Sequence, residues 1–452
     1  MKIIVVGCGK IGTTIIDNLV KEGHDVVAID PDSSAINEVT NIYDAMCVCG
    51  NGADSDALAE AGVDKAKLVV AVTGSDEVNM LACFIAKKMG AAYTIARIRN
   101  PEYNDQSLTF LKNNLDLSLT INPERLAAQE LFNILKLPSA VNIETFSRGN
   151  FEMVELLLKN NSALDGLSLI ELRKKFAGKY LICTVQRDNE VYIPDGNFVL
   201  SSGDRIGLTA EPIEIEKLLK KLGIMQRQAR NVMILGGSRT AYYLAKLLLA
   251  GGNSVKIIDK DRERCTAISS NLPGAVVIAG DGAEQELLLE EGIRSMDAFV
   301  ALTGMDEENI LISFFASAQN VPKVISKVNR AELANMAEKL GLDCIVSPKR
   351  IVSDVISSYA RALENSLGSK VETLYKLVDG KAEALEFIVQ PDFRYVNIPL
   401  KEMRLQSNIL IAGIIRGRKA VIPAGDDMIY PGDRVIIVAA GHQLNDLSDI
   451  MK

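Results

Sequence analysis

The sequence predicts an α/β protein with two Rossmann-like, doubly wound parallel-sheet units, each followed by a small α+β lobe. Three observations carry this. A strand running into a glycine-rich turn and a helix occurs twice, as Lys2-Ile-Ile-Val-Val-Gly7-Cys8-Gly9-Lys10-Ile11-Gly12 and as Asn231-Val-Met-Ile-Leu-Gly236-Gly237-Ser238-Arg239-Thr240-Ala241. Each is followed by β-branched runs alternating with helical patterns, the signature of parallel strands joined by crossover helices. Each half then closes with the same pair of turn signals. A repeat of this kind sets the architecture before any single element does.

In chain order, the first unit reads as strands at 3–6, 25–30, 45–49, 68–73 and 94–98, with helices at 12–22, 34–42, 54–61 and 77–89 between them. The second repeats it with strands at 255–259, 275–279, 298–303 and 324–328 and a helix at 307–317. After each unit a polar residue followed by proline, Asn122-Pro123 and Ser347-Pro348, signals a helix start. The helices expected there, 124–135 and 349–363, carry Leu126, Leu131 and Ile134 and Ile351, Val355 and Ile356. That apolar stripe could pack on a partner subunit or on its own domain. The lobes carry Ile193-Pro-Asp-Gly with Ser202-Gly-Asp-Arg, and Ile422-Pro-Ala-Gly with Pro431-Gly-Asp-Arg, which are turns rather than chemistry. The expected domains are 1–121, a connector at 122–137, a lobe at 138–222, a second unit at 230–346, a connector at 347–367 and a lobe at 368–452. The basic stretch 220–230 reads as the linker between halves.

At 452 residues the chain has room for several cores. A net charge of -8 argues against a nucleic-acid binder with a general basic face. No apolar run reaches the roughly 18–20 residues of a membrane helix, and the start of the chain lacks a signal-peptide layout, so a cytoplasmic protein is expected. Seven cysteines form no C-x-x-C pair, and neither His24 nor His442 sits near Cys47 and Cys49 in sequence, so no metal site is expected.

A lone glycine fingerprint is a weak signal; strand before, helix after and an acid at the end of the next strand strengthen it. Gly7 permits the tight turn, Gly9 lets backbone approach a pyrophosphate, and Gly12 allows close helix–strand packing. The helix start at Lys10 and Ile11 offers free N–H groups to phosphate. Asp30 is placed for ribose hydroxyls, which favours NAD(H) or an adenine nucleotide. Asn51 and Gly52 follow the third strand and Thr73 and Gly74 the fourth; Thr73 and Asp76 could equally cap the next helix. Arg97 and Arg99, two apart on one strand face, could meet a terminal phosphate or form exposed ion pairs. The second copy, with Gly236, Gly237, Ser238, Arg239, Thr240, Asp259, Asp281, Thr303 and Lys327, keeps the outline. Ser238, however, puts a side chain where backbone should meet phosphate, so altered or weaker binding is expected there.

With MKIIVVGCGKIG, the stretch Leu68–Asn79 and Ile95-Ala-Arg-Ile-Arg-Asn-Pro-Glu-Tyr103 in view, the whole chain resembles the tandem RCK/KTN (regulator of potassium conductance) family of Trk-type potassium uptake. The resemblance implies a regulatory subunit at the inner face of the plasma membrane that binds NAD(H) and ATP/ADP. It implies a homotetrameric ring and docking on a potassium-translocating membrane subunit, with Gly7, Cys8, Gly9, Lys10, Asp30, Thr73 and Arg97 as nucleotide contacts. In relatives the lobes bind a cyclic dinucleotide or a cation. The competing readings are an NAD-dependent oxidoreductase, for which no catalytic constellation is visible, and a nucleotide sensor unrelated to transport.

Overall fold

The computed structural model describes all residues except 102, 104, 160–161, 189, 365–370 and 378–379. The first unit runs β1 (Lys2–Val6), α1 (Lys10–Lys21), β2 (Asp25–Asp30), α2 (Ser33–Ile42), β3 (Met46–Cys49), α3 (Ser55–Glu60), β4 (Leu68–Ala71), α4 (Asp76–Lys88), β5 (Tyr93–Arg97), α5 (Asp105–Asn114) and β6 (Leu119–Ile121). The strands pair in parallel in the order β3-β2-β1-β4-β5-β6. Ile3, Ile4, Val5 and Val6 are all buried, as expected of a central strand covered by helices on both faces. The order reverses between β1 and β4, which opens a crevice at their carboxyl ends.

Helix α6 (Pro123–Lys136) leaves this unit, its first turn capped by Asn122 Oδ1, which accepts the Arg125 N–H at 2.9 Å. The first lobe follows: β7 (Asn142–Phe146), β8 (Phe151–Leu157), α7 (Leu169–Lys175), β9 (Tyr180–Arg187), β10 (Glu190–Tyr192), β11 (Arg205–Ala210) and α8 (Pro212–Lys221). The second unit is β12 (Asn231–Leu235), α9 (Arg239–Ala250), β13 (Ser254–Asp259), α10 (Arg262–Asn271), β14 (Val276–Ala279), α11 (Gln285–Glu290), β15 (Ala298–Ala301), α12 (Asp306–Ala318), β16 (Lys323–Lys327), α13 (Ala331–Lys339) and β17 (Ile345–Val346). Helix α14 (Pro348–Glu364) leads to the second lobe, β18 (Val371–Leu377), β19 (Ala382–Ile388), β20 (Ile409–Arg416), β21 (Lys419–Val421) and β22 (Arg434–Ala440). The second unit repeats the strand order of the first, and the lobe sheets, β7-β8-β11-β9-β10 and β18-β19-β22-β20-β21, repeat each other. The expected junction at 367/368 lies outside the described residues.

The connector helices cross over. Val352, Ile356 and Ala360 of α14 pack against Ile15, Ile16 and Leu19 of α1, in the first unit. Ala128, Leu131, Ile134 and Leu135 of α6 pack against Ala241, Leu244, Ala245 and Leu248 of α9, in the second. Each stripe therefore divides: Leu126 and Ile351 pack on their own half, while Leu131 and Ile134, and Val355 and Ile356, cover the other half of the same chain. Tandem fusion supplies that surface at high local concentration, so no second subunit is needed to cover it.

The lobes also pair. Phe146, Phe151 and Met153 of the first share a core with Ala384, Ala412, Ile436 and Val438 of the second. A Cβ on Gly413 would sit 2.6 Å from Phe151, so glycine there lets the sheets approach. Thr209 Oγ1 donates to the Ala412 carbonyl at 3.0 Å, and Tyr375 OH to that of Thr145 at 2.7 Å. The Gly-Asp turns are structural: Asp204 accepts two bonds from Arg187 at 2.8 Å, and Asp433 pairs with Arg416 at 2.8 Å. Helices α5, α7, α8 and α13, left unassigned by sequence, complete the layers. Helix α8 takes the first residues of the expected linker. Further on, the Gln226 N–H donates to Ser139 Oγ at 2.8 Å, which pins the segment. Among the described residues no helix is long and apolar enough to cross a membrane.

Candidate nucleotide-binding cleft

The glycine turn after β1 is built for close approach. Gly7 has φ +101°, and a Cβ there would meet the Thr73 nitrogen at 2.9 Å. A Cβ on Gly12 would lie 1.8 Å from the Gly7 carbonyl oxygen, so glycine is what lets α1 sit on the sheet. Gly9 differs: its φ of -70° suits any residue, and nothing lies within 4 Å of an added Cβ. Gly9 is the N-cap of α1 and offers no side-chain cap, so the first N–H groups of the helix open into the cleft.

Asp30 ties this turn down. Its Oδ2 accepts the Cys8 N–H at 2.7 Å and its Oδ1 the Asp32 N–H at 2.9 Å, while the residue lines the cleft. Cys8 does not line the cleft: its side chain is buried in the core on the α1 side of the sheet, and burial pushes its thiol up to about 12. Gly52 is set against β1, since its Cβ would meet Val6 at 2.0 Å. The cap of α4 is neither Thr73 nor Asp76 but Ser75, whose Oγ accepts the Val78 N–H at 3.2 Å. Thr73 donates its hydroxyl and its N–H to Asn79 Oδ1, each at 2.7 Å. Asn79 in turn donates to the Arg97 carbonyl at 2.9 Å.

Arg97 is buried, with Nη2 donating to the Thr73 carbonyl at 2.6 Å and Nε unpartnered. Arg99 Nη2 donates to the Gly74 carbonyl at 2.9 Å, and its Nη1 lies 3.9 Å from Glu124. Arg97, the last residue of β5, and Arg99, just beyond the strand, both line the cleft.

The cleft has a volume of about 980 Å³, and the two units build it together. The first contributes Gly7, Gly9, Lys10, Ile11, Asp30, Asn51, Gly52, Thr73, Gly74, Arg97 and Arg99. From the second come Ser238, Arg239 and Thr240 at the start of α9, Lys327 at the end of β16 with Asn329 beyond it, and Pro348 and Lys349 at the start of α14. Arg239, Thr240 and Lys327 thus face the first unit's cleft rather than the crevice of their own fold, whose lining includes Gly236, Ser238, Asp259, Asp281 and Thr303. Gly237 lines neither. Six cations, Lys10, Arg97, Arg99, Arg239, Lys327 and Lys349, face two carboxylates, Asp30 and Glu124. Burial lowers the basicity of Arg97, helped by neighbouring Arg99; burial likewise lowers Lys327, and lowers Lys349 with help from Lys10. A bound anion would relieve that crowding. Sequence reasoning missed Glu124, Asn329 and Lys349 as lining residues. The helix starts that hold Glu124 and Lys349 were legible, as was the strand before Asn329, but not the packing that brings the three together.

Comparison with known proteins agrees with this layout. The TrkA-N domain model matches residues 3–113 and 232–348, and the TrkA-C domain model matches 153–223 and 384–452. A Trk system potassium uptake protein TrkA homolog of Archaeoglobus fulgidus is 33% identical over 452 residues, covering 100% of both chains. TrkA homolog 1 of Methanosarcina mazei is 32% identical over 460 residues, again covering 100% of both. A solved structure of the GsuK channel bound to NAD shares the fold at 17% identity and TM-score 0.62, over 97% of this chain and 77% of that one. Two unit–lobe pairs, full-length likeness and tandem domain matches lead to one assignment: the chain belongs to the TrkA family of Trk-system potassium uptake proteins.

Proposed function

We propose that this chain is the nucleotide-binding regulatory subunit of a Trk-type potassium uptake system, working at the inner face of the membrane. One observation carries the reading: the glycine turn of the first unit opens into a cation-lined cleft that both units build. NAD(H) or ATP/ADP seated on the Gly7–Gly12 turn would present phosphate to α1 from one side and to Arg239 and Lys327 from the other. A ligand that bridges the units binds one of their relative arrangements better than another. That differential affinity is what shifts the population. The crossing helices and the paired lobes form the pivot, and the membrane partner reads the change of angle.

Self-assembly into a tetrameric ring belongs to this reading, with a surface other than the connectors. Leu81 on α4 and Leu311 on α12 occupy equivalent positions and are 50% and 68% exposed; Phe110 on α5 and Met336 on α13 are 66% and 49% exposed. Paired apolar patches on both units suit a ring that joins unit to unit. The test is calorimetry of the full chain with NADH, ADP and ATP, together with potassium uptake by cells lacking the gene. Nucleotide binding and a loss of uptake restored by the intact gene are expected. A monomer that oxidises NADH with a small-molecule substrate would decide for an oxidoreductase instead.

A further inference from the structure

The first unit's cleft is open, but the second unit's own crevice already holds a side chain. Arg264, on the first turn of α10, reaches back to Asp259, with Nη1 at 3.0 Å from Oδ2 and 3.3 Å from Oδ1. Its Nη2 lies 3.2 Å from Asp261 Oδ2. Asp259 is the acid equivalent to Asp30, buried, and it also accepts the N–H groups of Gly237 at 2.5 Å and Asp261 at 2.8 Å. Each carboxylate oxygen therefore has a backbone donor and a share of a guanidinium. A ribose diol arriving there finds its acceptor already in a charge-assisted pair.

The residue equivalent to Arg264 in the first unit is Ala35, which cannot reach Asp30. Asp30 keeps the two backbone donors, and among the described residues no guanidinium bonds it. The stem of the arginine also takes up space: an ideal Cβ on Gly237 would sit 3.2 Å from Arg264 Cδ and 2.7 Å from Ile268 Cδ1. The remaining crevice measures about 230 Å³, against about 980 Å³ for the shared cleft. Ligand pockets fall at about 300–1,000 Å³. At the phosphate end, Ser238 Oγ accepts the Ala241 N–H at 3.3 Å, so α9 caps itself where Gly9 leaves α1 uncapped.

We propose that Arg264 is a tethered plug that closes the second crevice, so that each chain seats one nucleotide, in the shared cleft. The inference rests on the nucleotide reading above and deepens it. The second unit acts as the jaw that closes on the phosphates rather than as a second seat.

Titration of the full-length protein with ADP tests this by stoichiometry. The expected result is one ADP per chain in the wild type and none in Gly9→Val, whose added side chain enters open cleft without backbone strain. Arg264→Ala is expected to take two per chain, and Gly9→Val/Arg264→Ala to keep one. Two per chain in the wild type, or one retained by Gly9→Val, would overturn the plug and leave the nucleotide reading standing. A folded Arg264→Ala still at one per chain would overturn it too, with Arg264→Gln as the second variant should the alanine form aggregate. No binding to the wild type would overturn the nucleotide reading itself.

Discussion

Among single residues, Gly9 and Arg97 make the sharpest test, because the fold needs one of them little and the other a great deal. Gly9 has an ordinary backbone conformation and empty space beyond its Cα, so Gly9→Val is expected to leave the melting temperature within about 2 °C, as for a surface change of under ~0.5 kcal/mol. The same change should abolish binding of NADH and ADP in calorimetry, since the new methyl groups fill the phosphate approach. Gly12→Ala, by contrast, drives a carbon to 1.8 Å from a backbone oxygen, and a clear loss of stability is expected in a thermal melt. Arg97→Ala should cost ATP more affinity than ADP or NADH if the guanidinium reaches a terminal phosphate. Equal losses for all three ligands would return Arg97 to its bond with the Thr73 carbonyl.

The crossing helices belong to the scale of elements. Carboxylates gather where α6 and α14 touch, with β7 and β8 of the first lobe alongside: Glu130, Glu144 and Asp354 are half-buried and Glu155 is buried. Burial pushes Glu130 up to about 7, with Asp354 and Glu155 adding to the shift and Arg350 opposing it. Burial also raises Asp354 to about 6 against Lys376 and Arg350, and it raises Glu144 well above the usual range. A carboxyl whose folded-state value lies above its unfolded one favours the native state while protonated. For Glu130 that contribution is complete below about pH 4.5 and is lost as pH rises through about 7. Glu130→Gln is therefore expected to raise the melting temperature at pH 8 and to flatten its decline between pH 5 and pH 8. An unchanged pH profile in calorimetric scans would mean that Glu130 is already solvated.

For the whole molecule, tandem fusion has used up the surfaces that a separate half would offer a partner. Leu131 is 1% exposed and Ile356 fully buried, so the proposed ring would close through exposed patches such as those on α4, α5, α12 and α13. Light scattering of the intact protein is expected to give a tetramer. Leu81→Glu/Leu311→Glu should break it into smaller folded species with unchanged circular dichroism, since both side chains already face solvent. A tetramer that survives the double substitution would move the interface elsewhere.

Much of this was legible in the chain before any coordinates. The two units, their parallel doubly wound sheets, the glycine turn and the acid at the end of the second strand all follow from local rules: strand periodicity, turn chemistry and the repeat itself. These are short-range properties, and each can be read within one unit. What the sequence could not determine is where α6 and α14 land. Their apolar stripes fit a neighbouring chain as well as the other half of this one, because a stripe encodes the need for cover but not the covering surface. That choice puts Arg239, Lys327 and Lys349 in the first unit's cleft instead of near the second crevice. It was likewise tertiary packing, the reach of Arg264 across a turn to Asp259, that set the two crevices apart more than the serine that the motif had flagged. Contacts between residues distant in sequence depend on the geometry of closure, and only the folded chain supplies it.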